Sequence, residues 1–472
     1  MAHFSACRDF HSSRRLGRRE VLRAGALSWF GLNLPRWFDA RVVAAEPRES
    51  RTFGRAKSCI LLFMWGGPAH QDTWDLKPNA PSEIRGEFKP ISTRVPGIQI
   101  CEHLPRLAKR VDRLAIVRSM THTDVNHTTA THFLLTGQPP PAASDMRQDW
   151  PHVGAVYART RQPAGCLPPL VQMRPKVPGD VPRFVEESHG QSGGWLGPDF
   201  DPFTIDADPS RDDYHVGDFA LAGDLSIERL DDRRQLLSHI DRWLRGQDEG
   251  SFGVVDGNYR RAFELLASAV GRRAFRLDDE PRAVRERYGF NPHGQSVLQA
   301  RRLVERGVPL VTVFWPNDGI KNVSVYWDTH SRNFVDLRER LMPVADQAFS
   351  ALLDDLADRA LLDETLVAWT GEFGRTPRVG QRNSDAGAGA DGRDHWPGCF
   401  TSVLAGARIR GGQVYGTSDR FAAYPASNPV APVDLMATVY HYLGLPQDLT
   451  IRDRQGRPMI MCAGRPIPEL VS

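Results

Sequence analysis

Cys59-Ile-Leu-Leu-Phe-Met-Trp65 runs directly into Gly66-Gly67-Pro68-Ala69-His70-Gln71-Asp72. An uninterrupted apolar run of this length reads as a strand buried on both faces, and the paired glycines after it permit an abrupt turn. The same arrangement recurs three times. Leu114-Ala-Ile-Val117 leads to Asn126-His127-Thr128-Thr129, and Val311-Thr-Val-Phe-Trp315 precedes Trp327-Asp328-Thr329-His330. Thr365-Leu-Val-Ala-Trp-Thr370 runs into Gly371-Glu372-Phe-Gly-Arg375, with Gly392-Arg-Asp394-His395 beyond it. In open α/β sheets, ligands bind outside the carboxyl ends of the strands. Acids and imidazoles gathered there from separate segments point to one metal-assisted site.

Between these strands lie segments of helical period. Leu337, Leu341, Val344, Ala348, Leu352 and Leu356 recur every three or four residues, an amphipathic helix expected to pack on the sheet. Helical patterning also covers 258–270 and 294–306. Pro432 to Tyr442 reads as a helix with proline at its start and Gly444 at its stop. Phe400–Leu404 reads as a further strand. The fold class is therefore α/β, a large mostly parallel sheet with helices on both faces. Residues 138–250 differ, being rich in Pro, Gly and Asp, and read as an irregular cap over the site.

The chain has 472 residues and a formal charge of +3, but the average hides an asymmetry. Residues 1–45 carry eight arginines against three acids, leaving 52 basic and 54 acidic residues in the remainder. A nearly neutral body argues against nucleic acid as a partner, since phosphates call for a concentrated basic face. Arg18-Arg19 precedes the short apolar stretch Ala24–Leu32, and Val43-Ala44-Ala45 supplies small residues for cleavage. This reads as a twin-arginine signal peptide over 1–45, which addresses the chain to the periplasm or beyond. Such export carries folded proteins, which suits a metalloenzyme. No later segment approaches the roughly 20 apolar residues of a membrane span. Residues 46–56 read as a linker, and 57–472 as one domain. The six cysteines form no C-x-x-C pair, so neither a zinc–thiolate site nor covalent haem is expected.

Each cluster has a chemical reading. Asp328 and His330, two apart, point the same way from an extended segment. Glu372 follows its strand directly, between glycines. Asp394 and His395 can both reach one ion from a turn, though they would diverge in a strand. Asp72 is the acid nearest the Gly66-Gly67 turn. These six are the expected metal ligands. Arg375 can hold an anionic oxygen of the substrate through its planar fork. His127 and Thr128 open a helix whose start favours anions; Thr128 is a candidate nucleophile, and His127 is a candidate extra metal ligand or catalytic proton carrier. His132 shares a helix face with Thr128, as a pocket residue or a buried histidine.

Together these pieces resemble the alkaline phosphatase/sulfatase superfamily, and more closely its DUF1501 branch of secreted bacterial proteins. The matching motifs are Gly66-Gly67-Pro68 through Asp75, Asn126-His127 through Gly137, Trp327-Asp328-Thr329-His330, Gly371 through Pro377, and Gly392 through Pro397. The resemblance implies two divalent metals at the strand ends and hydrolysis of phosphate or sulfate esters, including those of polysaccharides. Mixed Asp, Glu and His ligands favour zinc, manganese or iron over magnesium or calcium. Its nucleophile slot holds His127 here rather than a hydroxyl or cysteine, and no Cys-x-Pro-x-Arg motif is present. Attack then falls to Thr128 or to water, or hydrolysis has been lost in favour of metal binding alone.

Overall fold

The computed structural model describes residues 52–142, 145–161, 165, 167–176, 187–216, 232, 235, 268–317 and 326–471. The stretch read as a signal peptide and most of the helical pattern at 258–270 lie outside these. Among the described residues, no helix is long and apolar enough to cross a membrane.

Eight strands form the central sheet: β1 (Ser58–Phe63), β2 (Leu114–Met120), β3 (Leu170–Met173), β4 (Phe203–Ile205), β5 (Leu310–Phe314), β6 (Thr365–Thr370), β7 (Phe400–Gly406) and β8 (Gln413–Tyr415). Their order is β8-β2-β7-β6-β1-β5-β3-β4. All six residues of β1 are buried, as its unbroken apolar run requires. It lies parallel to β5 on one side and β6 on the other. Strand β7 alone runs against its neighbours β2 and β6. The chain between β6 and β7 makes no crossover helix, so it must return in the opposite sense. Residues 371–399 therefore stay at the carboxyl end of the sheet. The ends of β1, β2, β5 and β6 share that side.

Four helices matter here: α1 (His127–Thr136), α2 (Pro292–Glu305), α3 (Met342–Asp358) and α4 (Pro432–Tyr442). Helix α2 packs on β5 and β1, and α4 packs on α1. The amphipathic α3 packs chiefly on α2 rather than on the sheet itself. Gly444 ends the turn after α4 at φ +70°, as expected of a stop glycine.

Two expectations about segments change. The stretch read as an irregular cap contributes β3 and β4, which extend the sheet in parallel beside β5. Prolines at 168, 169 and 175 confine β3 to four residues, too short for a periodic signal. Within the expected linker, residues 52–56 pack on the end of α4: Gly54 N donates to the His441 carbonyl and Ala56 N to that of Tyr442, each at 2.9 Å. Cys59, Cys101, Cys399 and Cys462 are buried free thiols.

Candidate metal centre

The turn after β1 organises the site. Gly66 and Gly67 both have positive φ, +104° and +79°. A Cβ on Gly66 would lie 2.5 Å from the Asp328 nitrogen, so only glycine lets the chain after β5 come this close. Gly66 N donates to Glu372 Oε1 at 2.8 Å, and the carbonyls of Gly66 and Gly67 accept from the Arg375 guanidinium. One turn thus docks the loops that follow β5 and β6. Gly66→Ala is expected to displace Asp328 and lower the cation content of the purified chain; unchanged content would show that the close approach is dispensable.

His127, Asp328, His330 and His395 meet there, with ligand atoms all within 4.8 Å of one another. Asp328 Oδ1 lies 3.2 Å from His127 Nε2, 2.9 Å from His330 Nε2 and 3.2 Å from His395 Nε2. Each imidazole is held from behind through Nδ1. His127 Nδ1 sits 2.5 Å from Glu372 Oε1, and His395 Nδ1 sits 2.8 Å from the Val125 carbonyl. His330 Nδ1 contacts the Gly387 carbonyl. A carbonyl only accepts, and a carboxylate does the same when ionised, so each Nδ1 carries a hydrogen and each Nε2 offers a lone pair once its imidazole is neutral. The Nε2 atoms of His330 and His395 are 2.9 Å apart. Two lone pairs facing at that distance repel unless positive charge lies between them. This is the arrangement of metal-bound histidines, whose outer partners fix the tautomer.

Electrostatics make His395 a ready ligand, whereas His127 must first give up a proton. Burial pulls the His395 pKa down to about 4, leaving it neutral and ready to ligate. Burial also opposes charge on His127, but Asp328 and Glu372 outweigh it and raise its pKa to about 9. Burial would likewise raise Asp328, yet Arg375 and His127 hold it well below the usual carboxylate range. The centre opens to solvent at His330, whose side chain is 21% exposed, and at Asp328, 13% exposed.

The other expected site residues stand elsewhere. Asp72 is not in the cluster. Fully buried, it receives two hydrogen bonds from Arg393, at 2.7 and 3.0 Å, and one from Asn333 at 2.8 Å. Glu372 stands behind His127 rather than beside its Nε2, with Oε2 buried and unbonded among the described residues. Asp394 accepts from Ser384 Oγ at 2.5 Å and from the Asn383 and Ser384 nitrogens at 2.6 Å. Burial would raise its pKa, but these donors bring it to about 2. It anchors the loop and approaches His330 only through Nδ1, at 3.5 Å. Adjacent His395 turns the other way because it pairs with Arg375 in a two-residue antiparallel ladder.

Arg375 is buried and committed to Asp328, the glycine carbonyls and the Arg393 carbonyl, so its fork is not available to a substrate. His132 is a structural histidine: Nδ1 donates to the Gln138 carbonyl at 3.0 Å, while Nε2 accepts from Trp150 N at 3.1 Å. The Thr128 hydroxyl donates to Asn126 Oδ1 at 2.8 Å, beside the backbone bond by which Asn126 caps α1. One cluster forms among the described residues, where two cations were expected.

Several neighbours carried no sequence signal. The Trp65 ring stacks on His127 at 4.7 Å, and its indole N–H donates to Ser188 Oγ at 3.2 Å. His189 N donates to the Thr128 carbonyl, while His189 Nδ1 lies 2.7 Å from the buried Asp149. The carbonyls of Val125 and Gly387 are backbone groups that no residue type announces.

A family model described as "Protein of unknown function (DUF1501)" matches residues 56–471. The chain belongs to the DUF1501 family. No curated protein matches it. Among solved structures, this DUF1501 chain is similar to the lipoteichoic acid synthase LtaP from Listeria monocytogenes, at 11% identity and a TM-score of 0.38, covering 89% of this chain and 78% of that one. A protein in the alkaline phosphatase superfamily from Vibrio parahaemolyticus is similar at 11% identity and a TM-score of 0.38, over 85% and 71%. A phosphonate monoester hydrolase from Silicibacter pomeroyi follows at 12% identity and a TM-score of 0.29, over 88% and 76%.

Proposed function

We propose that this DUF1501 chain is a twin-arginine-exported, periplasmic, metal-dependent hydrolase of phosphate or sulfate esters. The observation that carries the reading is the convergence of three Nε2 lone pairs and one carboxylate oxygen, each imidazole locked from behind. His127, Asp328, His330 and His395 would hold a divalent cation, and the donor set suits zinc, manganese or iron. Bound there, the cation would supply Lewis-acid charge to a phosphoryl or sulfuryl oxygen. Arg375 keeps Asp328 ionised and oriented. Glu372 keeps the His127 tautomer. Because the Thr128 hydroxyl is engaged in capping, water is the favoured nucleophile. Turnover of aryl phosphates or aryl sulfates by metal-loaded protein tests the reading; metal bound in stoichiometric amount with no turnover across an ester panel would remove it.

One observation favours the alternative, an exported protein that holds metal without catalysis. Four protein donors complete a tetrahedral zinc shell, the pattern of structural sites, whereas catalytic zinc keeps a position open. A cation of higher coordination number would leave room for substrate. Metal analysis of the purified chain separates these cases.

Two results follow for the centre itself. Glu372→Gln should weaken cation affinity by about 10- to 100-fold without removing a ligand, as loss of an outer partner does elsewhere; affinity equal to wild type would show that Glu372 does not orient His127. The raised His127 pKa also sets a pH dependence. Its proton stabilises the cation-free fold fully below 6.5, and that contribution is lost as pH rises through about 9. A cation must displace the same proton, so affinity should rise about tenfold per pH unit between 6.5 and about 9. Calorimetry across that window checks this, and a flat profile would contradict it.

A further inference from the structure

A groove of about 560 Å³ lies apart from the cation cluster, between the segment 145–150, Trp195 and the loop 453–459. Its wall is aromatic. Trp150 and Trp195 meet at a ring distance of 5.9 Å and an angle of 74°, so the two rings form a corner rather than a stack. Both are half-buried, and the buried indole N–H of Trp195 has no acceptor among the described residues.

The rest of the lining is charged. Arg147 pairs with Asp145 at 3.0 Å and Arg457 with Asp453 at 2.7 Å. Arg454, exposed on the same loop, makes no ion pair among the described residues. Its guanidinium lies over Gly197, where an added Cβ would come within 2.9 Å of it. Arg454 thus presents a planar fork to the groove, while the two lining acids are paired with Arg147 and Arg457.

The walls are tied to the centre. Trp150 N donates to His132 Nε2 on α1, and Trp195 N donates to the Asp149 carbonyl at 3.1 Å. His132 follows the cluster residue His127 by five residues, about 7–8 Å along the helix at its usual rise.

We propose that this groove is a subsite for an acidic saccharide unit. The tryptophan corner takes the apolar C–H face of the ring, as large amphipathic rings do for ligands that are apolar on one side and wet on the other. Arg454 takes the carboxylate or sulfate in its fork. The near-neutral body of the chain leaves this local guanidinium, rather than a general positive field, as the source of selectivity. The proposal gives the ester hydrolase reading above its substrate class, an acidic glycan, and rests on that reading only for the glycan being cleaved.

The test is calorimetric binding to the metal-loaded chain, using a chondroitin sulfate tetrasaccharide, an oligoguluronate tetrasaccharide and neutral cellotetraose. At least one acidic probe should bind tenfold or more tightly than the neutral one. Trp195→Ala and Arg454→Gln should each weaken that binding about tenfold, Arg454→Gln chiefly by erasing the preference for charge. Arg454 is exposed, so its replacement does not threaten the fold. No binding of either acidic probe, or binding that both variants leave intact, overturns the proposal. Binding is read without turnover. Groove-dependent binding in a chain that hydrolyses no ester would therefore remove the hydrolase reading and leave the subsite standing.

Discussion

Asp328→Asn is expected to abolish stoichiometric cation binding and, with it, ester turnover, while leaving the chain folded. Asp328 Oδ1 is the point that all three imidazoles face, so its charge is shared by every other donor. Asparagine keeps the shape and can still accept from Arg375, so the buried guanidinium keeps an acceptor at this position beside its backbone carbonyls. It cannot supply the anionic oxygen that hard and borderline divalent ions require. Elemental analysis should fall from about one cation per chain to background, and the rise in melting temperature on adding metal should vanish. A variant that retained both its cation and its turnover would take Asp328 out of the centre.

Asp72→Ala should have the opposite profile, a large loss of stability with the cation retained by whatever fraction folds. Asp72 and Arg393 are both fully buried, and the guanidinium reaches across to the carbonyls of Ile84, Thr376 and Pro377 as well. Removing the carboxylate leaves a buried positive charge with only neutral partners, which costs about 3–5 kcal/mol. Denaturant midpoints at constant slope would report this loss. Should the variant instead keep its stability and lose its metal, Asp72 would have to be reinstated as a ligand.

The contrast between these two acids shows where reading residues in order stops. Both follow buried strands by a loop of several residues, and nothing in either loop says which acid will meet the imidazoles. Asp328 reaches the cluster because Gly66 lets its backbone pass within contact of the turn after β1. Asp72 sits on a short helix, His70–Thr73, that carries it toward Arg393 and Asn333. Arg375 shows the same limit from the other side. As an isolated guanidinium after a strand it reads as an anchor for substrate; in the fold it is enclosed by two glycine carbonyls and Asp328. Strands β3 and β4 lay in a stretch whose prolines and glycines mark only loops or short edge strands. At four and three residues, they are too brief to show a period, and only pairing with β5 and with each other makes them strands.

Local chemistry alone determined the strands β1, β5 and β6, the cap at Asn126, the stop glycines at 137, which closes α1 at φ +72°, and 444, and the presence of acids and imidazoles just past the strand ends. Those properties depend on apolar runs, backbone freedom and neighbours a few residues away. Which of the acids meets the imidazoles was decided only in three dimensions. That choice turns on where loops of different length return over the sheet, and on pairs such as His395 with Arg375 that aim one side chain inward and its neighbour Asp394 away.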